Sequence, residues 1–154
     1  MTDAASISPK EASKLTVDEW REWTTTVWSV ANNSHPEHPA VFPLELPHRL
    51  VKMFSFVGET VLDPFGGTGT TALAAGLNGR VGHAIEQNEE FVRVSNEILR
   101  SNGVTHTTRV FHGDSREMSS HEDESVGLIV TSPPYWDKAS YGGGDRDLDR
   151  KSVV

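Results

Sequence analysis

The stretch TSPPYW, residues 131–136, places a hydroxyl, two prolines and two aromatic rings directly behind the apolar run VGLIV. Proline has no N–H for a strand ladder, so a strand over GLIV must stop there. Ser132 and the carbonyls around Pro133 and Pro134 are acceptors, and the prolines stiffen the loop that carries them. Such a loop is either a rigid turn without chemistry or a preorganised set of hydrogen-bond acceptors beside the Tyr135 and Trp136 rings.

A second group stands upstream. In DPFGGTGTTA, residues 63–72, Gly67, Gly69 and Ala72 satisfy G-x-G-x-x-A between a candidate strand and a candidate helix. Glycine lets a backbone approach a ligand closely and permits positive φ, but it is also the default residue of a tight turn with no ligand. Glu86 closes the next apolar run, VGHAIE, where a carboxylate can accept from both hydroxyls of a ribose. No Lys-Ser or Lys-Thr follows the glycines, which speaks against a P-loop. Asp63 speaks against a dinucleotide: it would repel a pyrophosphate, yet it suits a cationic ligand. Asp114, in FHGD, either accepts from an adenine amino group or caps a turn.

The elements that must position these residues alternate. Thr16 and Glu19 form a capping box ahead of a helix from Val17, on which Trp20 and Trp23 share a face directed to a core. TTTVWSV reads as a short strand or extended piece, NNSHPEHPAVFP as a loop, and Leu46, Leu50, Val51 and Phe54 as a helical stripe with Pro47 near its start. Then come strand ETVLD, the Gly turn, an Ala/Leu helix ended by Gly79, and strand VGHAIE. A helix capped by Asn88 and closed by Gly103 follows, then strand TTRVFH, a polar connection and strand SVGLIV. This order predicts an α/β, doubly wound, Rossmann-like parallel sheet with its ligand at the carboxyl ends of the strands. Residues 1–14 and 142–154 read as flexible tails around a core over 15–141.

Composition narrows the function. With 14 basic and 22 acidic residues the net charge is −8, a poor basis for general attraction to phosphate. The absence of cysteine excludes thiolate nucleophiles, thiolate metal sites and disulfides. His35 and His38 lie in a Pro-rich loop without the spacing of a metal site. With no apolar signal core or long apolar run, the expectation is a soluble, cytoplasmic protein.

VLDPFGGTGTT together with TSPPYW resembles the amino-methylating DNA methyltransferases, and the Ser-Pro-Pro-Tyr form resembles their cytosine-N4 branch. The segment VWSV…HPAVFPLELPHRLV is similar to the element that closes over the methionine end of the cofactor in that family; the likeness runs from about Leu15 to Tyr141. The resemblance implies S-adenosylmethionine as cofactor, held by Phe42, Asp63, Phe65, Gly66, Gly67, Thr68, Gly69, Glu86 and Asp114. It implies double-stranded DNA as substrate, often within restriction–modification. The catalytic residues become Ser132, Pro133, Pro134 and Tyr135, with Tyr135 and Trp136 stacking a flipped base. An exocyclic amine is a poor nucleophile because its lone pair is delocalised into the ring. Acceptance of its two hydrogens by Ser132 Oγ and the Pro133 carbonyl favours a pyramidal nitrogen. Methylation at ring carbon 5 needs a covalent thiolate, which this chain lacks.

Adenine N6 stays open as the acceptor, since Ser leans toward cytosine without excluding adenine. So do a catalytically incomplete cofactor-binding remnant and, at greater distance, a dinucleotide-dependent oxidoreductase that leaves the Ser-Pro-Pro-Tyr loop unexplained. The family sheet has seven strands, and four are legible here. The sequence therefore reads as a fragment or split subunit, weakly active alone, with an apolar GLIV edge open to self-association or a complementary subunit.

Overall fold

The computed structural model describes residues 7–31, 43–118 and 121–134. The segment read as a flexible N-terminal tail contains a helical turn, α1 (Pro9–Ala12), capped by Ser8. Ser13 Oγ then accepts from Val57 N at 2.7 Å, which ties this segment to the core. α2 (Val17–Trp23) starts as its capping box predicts, with Thr16 and Glu19 bonding each other's backbone N–H. The two tryptophans separate, however. Trp23 is 6% exposed and Trp20 is 59% exposed, because a spacing of three spreads them around the helix enough for only one to meet α3.

No strand forms over residues 24–31. Trp28 instead donates its indole N–H to Trp23 O at 2.9 Å. α3 (Glu45–Phe54) buries Pro47, Arg49 and Val51, while Phe54 is 60% exposed, against the expected stripe. Arg49 explains the shift of face. Its guanidinium bonds Glu22 and Glu45, each at 2.7 Å, and lies over the rings of Trp23 and Trp28. A buried arginine with two carboxylates and two aromatic faces is satisfied, and its stem covers apolar surface.

The remaining elements alternate as expected: β1 (Thr60–Asp63), α4 (Thr70–Leu77), β2 (Val81–Glu86), α5 (Glu89–Ser101), β3 (Thr108–His112) and β4 (Leu128–Ile129). The sheet is parallel throughout in the order β3-β2-β1-β4. Chain order reverses between β1 and β4, and a ligand crevice belongs at such a switch point. β4 holds two residues, shorter than SVGLIV suggested, because pairing with β1 covers only Val61↔Leu128 and Leu62↔Ile129.

Alternation along the strands sends Val61, Gly82, Ala84, Thr108 and Val110 to one face, where α3, α4 and α5 pack. Ala72, Leu73, Ala84, Leu99, Val104 and Val110 form one core cluster there, and Val51, Val61, Ala75 and Val130 another. His83 and Phe111 face the other way. His121, from the connection between β3 and β4, meets His83 with a 3.0 Å nitrogen–nitrogen contact. Among the described residues no helix is long and apolar enough to cross a membrane.

Gly82 sets the distance between sheet and helix. A Cβ there would lie 2.5 Å from Ala72 O, a backbone atom that cannot swing aside. Gly82→Ala should therefore lower stability by about 1–3 kcal/mol, as overpacking does. Urea denaturation should show a lower midpoint with unchanged slope; an unchanged midpoint would mean that α4 can shift freely.

Candidate functional site

The Gly-rich turn binds the carboxyl end of β1 to that of β2, and Gly113 joins the end of β3 to β2. Gly66 N donates to Ile85 O at 2.8 Å, and Gly113 N donates to Glu86 O at 3.0 Å. Glu86 Oε2 accepts from Gly67 N at 2.8 Å and Oε1 from Asn88 N at 2.7 Å. The acid expected at the end of β2 thus braces the turn, and the turn presents Pro64, Phe65 and Gly67 at least partly to solvent while Gly66, Thr68 and Gly69 are buried. Burial pushes the Glu86 carboxyl above its ordinary range; the backbone N–H groups of Asn88, Gly67 and Gln87 oppose this, and the like charge of Asp63 adds to it.

Gly67 and Gly69 take φ of +51° and +81°, so the turn requires residues without a Cβ penalty. Gly69 is also the N-cap residue of α4. A Cβ on Gly69 would meet Ser95 Cβ at 3.2 Å and Val110 Cγ2 at 3.7 Å, so it points into the protein. Its purpose is the shape of the turn, rather than clearance for a ligand as the fingerprint alone suggests. Ser95 was not apparent from spacing. Its fully buried hydroxyl lies 3.0 Å from Gly67 O and 2.6 Å from Phe91 O and fastens the turn to α5.

Asp63, at the end of β1, is 2% exposed. Its Oδ1 accepts from Phe65 N at 3.0 Å and from Thr131 Oγ1 at 2.7 Å. Burial raises its pKa, against the donors from Thr131, Phe65 and Thr71. Thr131, absent from the sequence-based site, is what brings the two motifs together: the residue before Ser132 is bonded to the acid before the Gly turn. Thr71, in the first turn of α4, makes a longer contact of 3.4 Å to Val130 O.

Asp114 follows β3 at the same rim, but its carboxylate is held by Arg116, whose Nε lies 2.9 and 3.0 Å from the two oxygens and whose Nη2 bonds Oδ2. It also accepts from Arg116 N at 3.0 Å, the turn-forming role that was its other reading. Ser132 and Pro134 are half-buried and Pro133 is exposed where the chain leaves β4. Phe42, Tyr135 and Trp136 lie outside the described residues, as do His35 and His38.

These features have counterparts in known proteins. The family model for N6/N4 methyltransferases, a DNA methylase family, matches residues 2–97. The chain belongs to this DNA methylase family. Among its relatives, the type II methyltransferase M.BglI of Bacillus subtilis is 38% identical over 93 residues, 59% of this chain and 27% of that protein. The type II methyltransferase M.MjaI of Methanocaldococcus jannaschii is 46% identical over 69 residues, 42% of this chain and 23% of that protein. The crystal structure of TTHA0409, a DNA modification methylase from Thermus thermophilus complexed with S-adenosyl-L-methionine, is 35% identical with a TM-score of 0.58. That likeness covers 68% of this chain and 41% of TTHA0409. This DNA methylase chain therefore spans about a quarter of the curated relatives it matches. Its parallel sheet and these neighbours bear out the Rossmann-like methyltransferase fold.

Proposed function

We propose that this DNA methylase family member uses S-adenosylmethionine to methylate an exocyclic amine of a flipped base in duplex DNA, with cytosine N4 as the acceptor. The observation that carries the reading is the 2.7 Å bond from Thr131 Oγ1 to Asp63, which sets the Ser-Pro-Pro loop against the Gly-turn rim. The residues at that rim fit the cofactor. Glu86 is a partly buried acceptor with two oxygens at the ribose position, and the partly exposed Gly67 backbone offers close approach. Asp63 lies under the turn and acts on a cation through its field rather than through an open surface. Asp114 is the candidate for the adenine end, oriented by Arg116. Phe42 is proposed for the methionine end. Bound there, the sulfonium supplies the methyl group.

Ser132 Oγ and the Pro133 carbonyl accept the two amine hydrogens and turn the nitrogen lone pair toward that methyl. The bound cofactor would supply the methyl group and retain the electron pair of the broken sulfur–carbon bond, and the excess N–H proton would pass to solvent water. Tyr135 and Trp136 are proposed to stack the base outside the helix. Serine at the head of the loop supports cytosine N4 over adenine N6, and the absence of any thiol speaks only against ring carbon 5. Methyl-labelled cofactor and duplex DNA, followed by nucleoside analysis, test this: label should appear as N4-methylcytosine. Label in N6-methyladenine would overturn the base assignment.

The two raised carboxyls give a pH signature. With a folded pKa above its unfolded value, each contributes stability that is full below the unfolded pKa near about 4 and is lost as pH rises through the folded value. Ligand hydroxyls and cations favour the ionised forms. Cofactor binding should therefore release protons and tighten as pH rises from about 4 toward neutrality. Calorimetry in buffers of different ionisation enthalpy checks this; proton uptake, or affinity that falls over this range, would contradict it.

A further inference from the structure

We infer that Thr131 is a positioning residue, which ties the entrance of the Ser132–Pro133–Pro134 loop to the acid at the base of the cofactor turn. The inference rests on the proposed reading of that turn as the cofactor site. Its geometry is direct. Asp63 Oδ1 receives both Phe65 N, at the start of the turn, and Thr131 Oγ1, at the start of the loop. One buried oxygen thus fixes two backbone segments that are 68 residues apart in the chain. The contact is an O–H donating to a carboxylate, which is shorter and stronger than a neutral pair. Thr131 itself is exposed two residues beyond β4, whose pairing stops at Ile129. The end of β4 is also held by Val130 N bonded to Leu62 O and by the longer Thr71 contact to Val130 O.

The tie has a functional consequence. A hydrogen bond to the ionised carboxylate favours that form, so the Thr131 bond lowers the Asp63 pKa against the larger, raising effect of its burial. The other groups acting on Asp63 are Thr71 from α4, the Phe65 N–H of the turn and the like charge of Glu86 from β2. A bound cation strengthens the Thr131 bond by holding Asp63 ionised, and an ordered loop strengthens the cation's site in return. Coupling of this kind is reciprocal.

The test uses the full chain with Thr131→Val, which keeps the shape and removes the donor, and Thr131→Ser, which keeps the donor. The Asp63 carboxyl carbon is followed by NMR through a pH titration, alongside calorimetry with S-adenosylmethionine at pH 7. The Asp63 midpoint should move to higher pH in Thr131→Val and return toward the parent value in Thr131→Ser. Affinity in the Val variant should fall about tenfold, the size of one charge-assisted hydrogen bond. An Asp63 midpoint unmoved in Thr131→Val, or shifted equally in Thr131→Ser, overturns the tie. If the midpoints move as stated but the parent chain gives no heat with the cofactor, the tie stands and the cofactor reading falls.

Discussion

Gly69→Val should abolish cofactor binding, the largest effect on affinity expected from one side chain in this chain. Gly69 holds φ of +81°, a region in which a β-branched residue is strained by about 1–3 kcal/mol. Its Cβ would press on Ser95 at 3.2 Å, and the further valine methyls on Val110 behind it. Ser95 cannot retreat without releasing Gly67 O, which its hydroxyl fastens. The substitution therefore acts from within, by forcing the turn out of shape and detaching Gly67 N from Glu86. Gly103→Ala is the control: its φ is +70°, nothing lies within 4 Å of its Cβ position, and it is remote from the rim. Calorimetry with S-adenosylhomocysteine should give no heat for folded Gly69→Val and parent-like affinity for Gly103→Ala. Parent-like binding by Gly69→Val would mean that the turn does not hold the ligand.

Ser132→Ala should remove methyl transfer while leaving cofactor affinity nearly intact. The hydroxyl is proposed to accept from the amine as its nitrogen becomes pyramidal, an interaction realised mainly in the transition state. Removal of one preorganised polar group of this kind costs about 10²–10³ in kcat. Alanine keeps the backbone and both prolines, and it leaves in place the Thr131 hydroxyl that bonds Asp63. Single-turnover transfer of labelled methyl to DNA, in whatever assembly is active, should show the loss with little change in cofactor KM. A loss of cofactor affinity comparable to that of Gly69→Val would place Ser132 in the cofactor site instead.

Much of this architecture could be read from short-range pattern. The Thr16–Glu19 box, the Asn88 cap, Gly79 and Gly103 after their helices, and the bounds of β2 depend on neighbours within one turn of chain, where residue type fixes conformation directly. Expectations failed where a distant partner decides. Trp20 and Phe54 looked like core by type, yet Arg49 and Trp23 occupy the contact between α2 and α3. Trp28 looked like strand, yet its indole N–H finds Trp23 O. Ser95 and Thr131 carry no spacing signal, since the hydroxyls act across 28 and 68 residues. The Asp114–Arg116 pair had a local signal, an acid two residues before an arginine in a turn, that could have indicated an occupied carboxylate.

The rim at the ends of β1, β2 and β3 is proposed to bind S-adenosylmethionine with Glu86 as the ribose acceptor. Calorimetric titration of the folded chain and of Glu86→Gln with this ligand at pH 7 tests it most directly. A glutamine amide keeps one acceptor oxygen and replaces the other by a donor, so one ribose hydroxyl and one of the backbone donors, Gly67 N or Asn88 N, lose their acceptor and the charge is gone. The predicted result is single-site binding by the parent chain and an affinity about 10–100-fold weaker in the variant. No heat from the folded parent chain, or equal affinity in the two proteins, would contradict the claim.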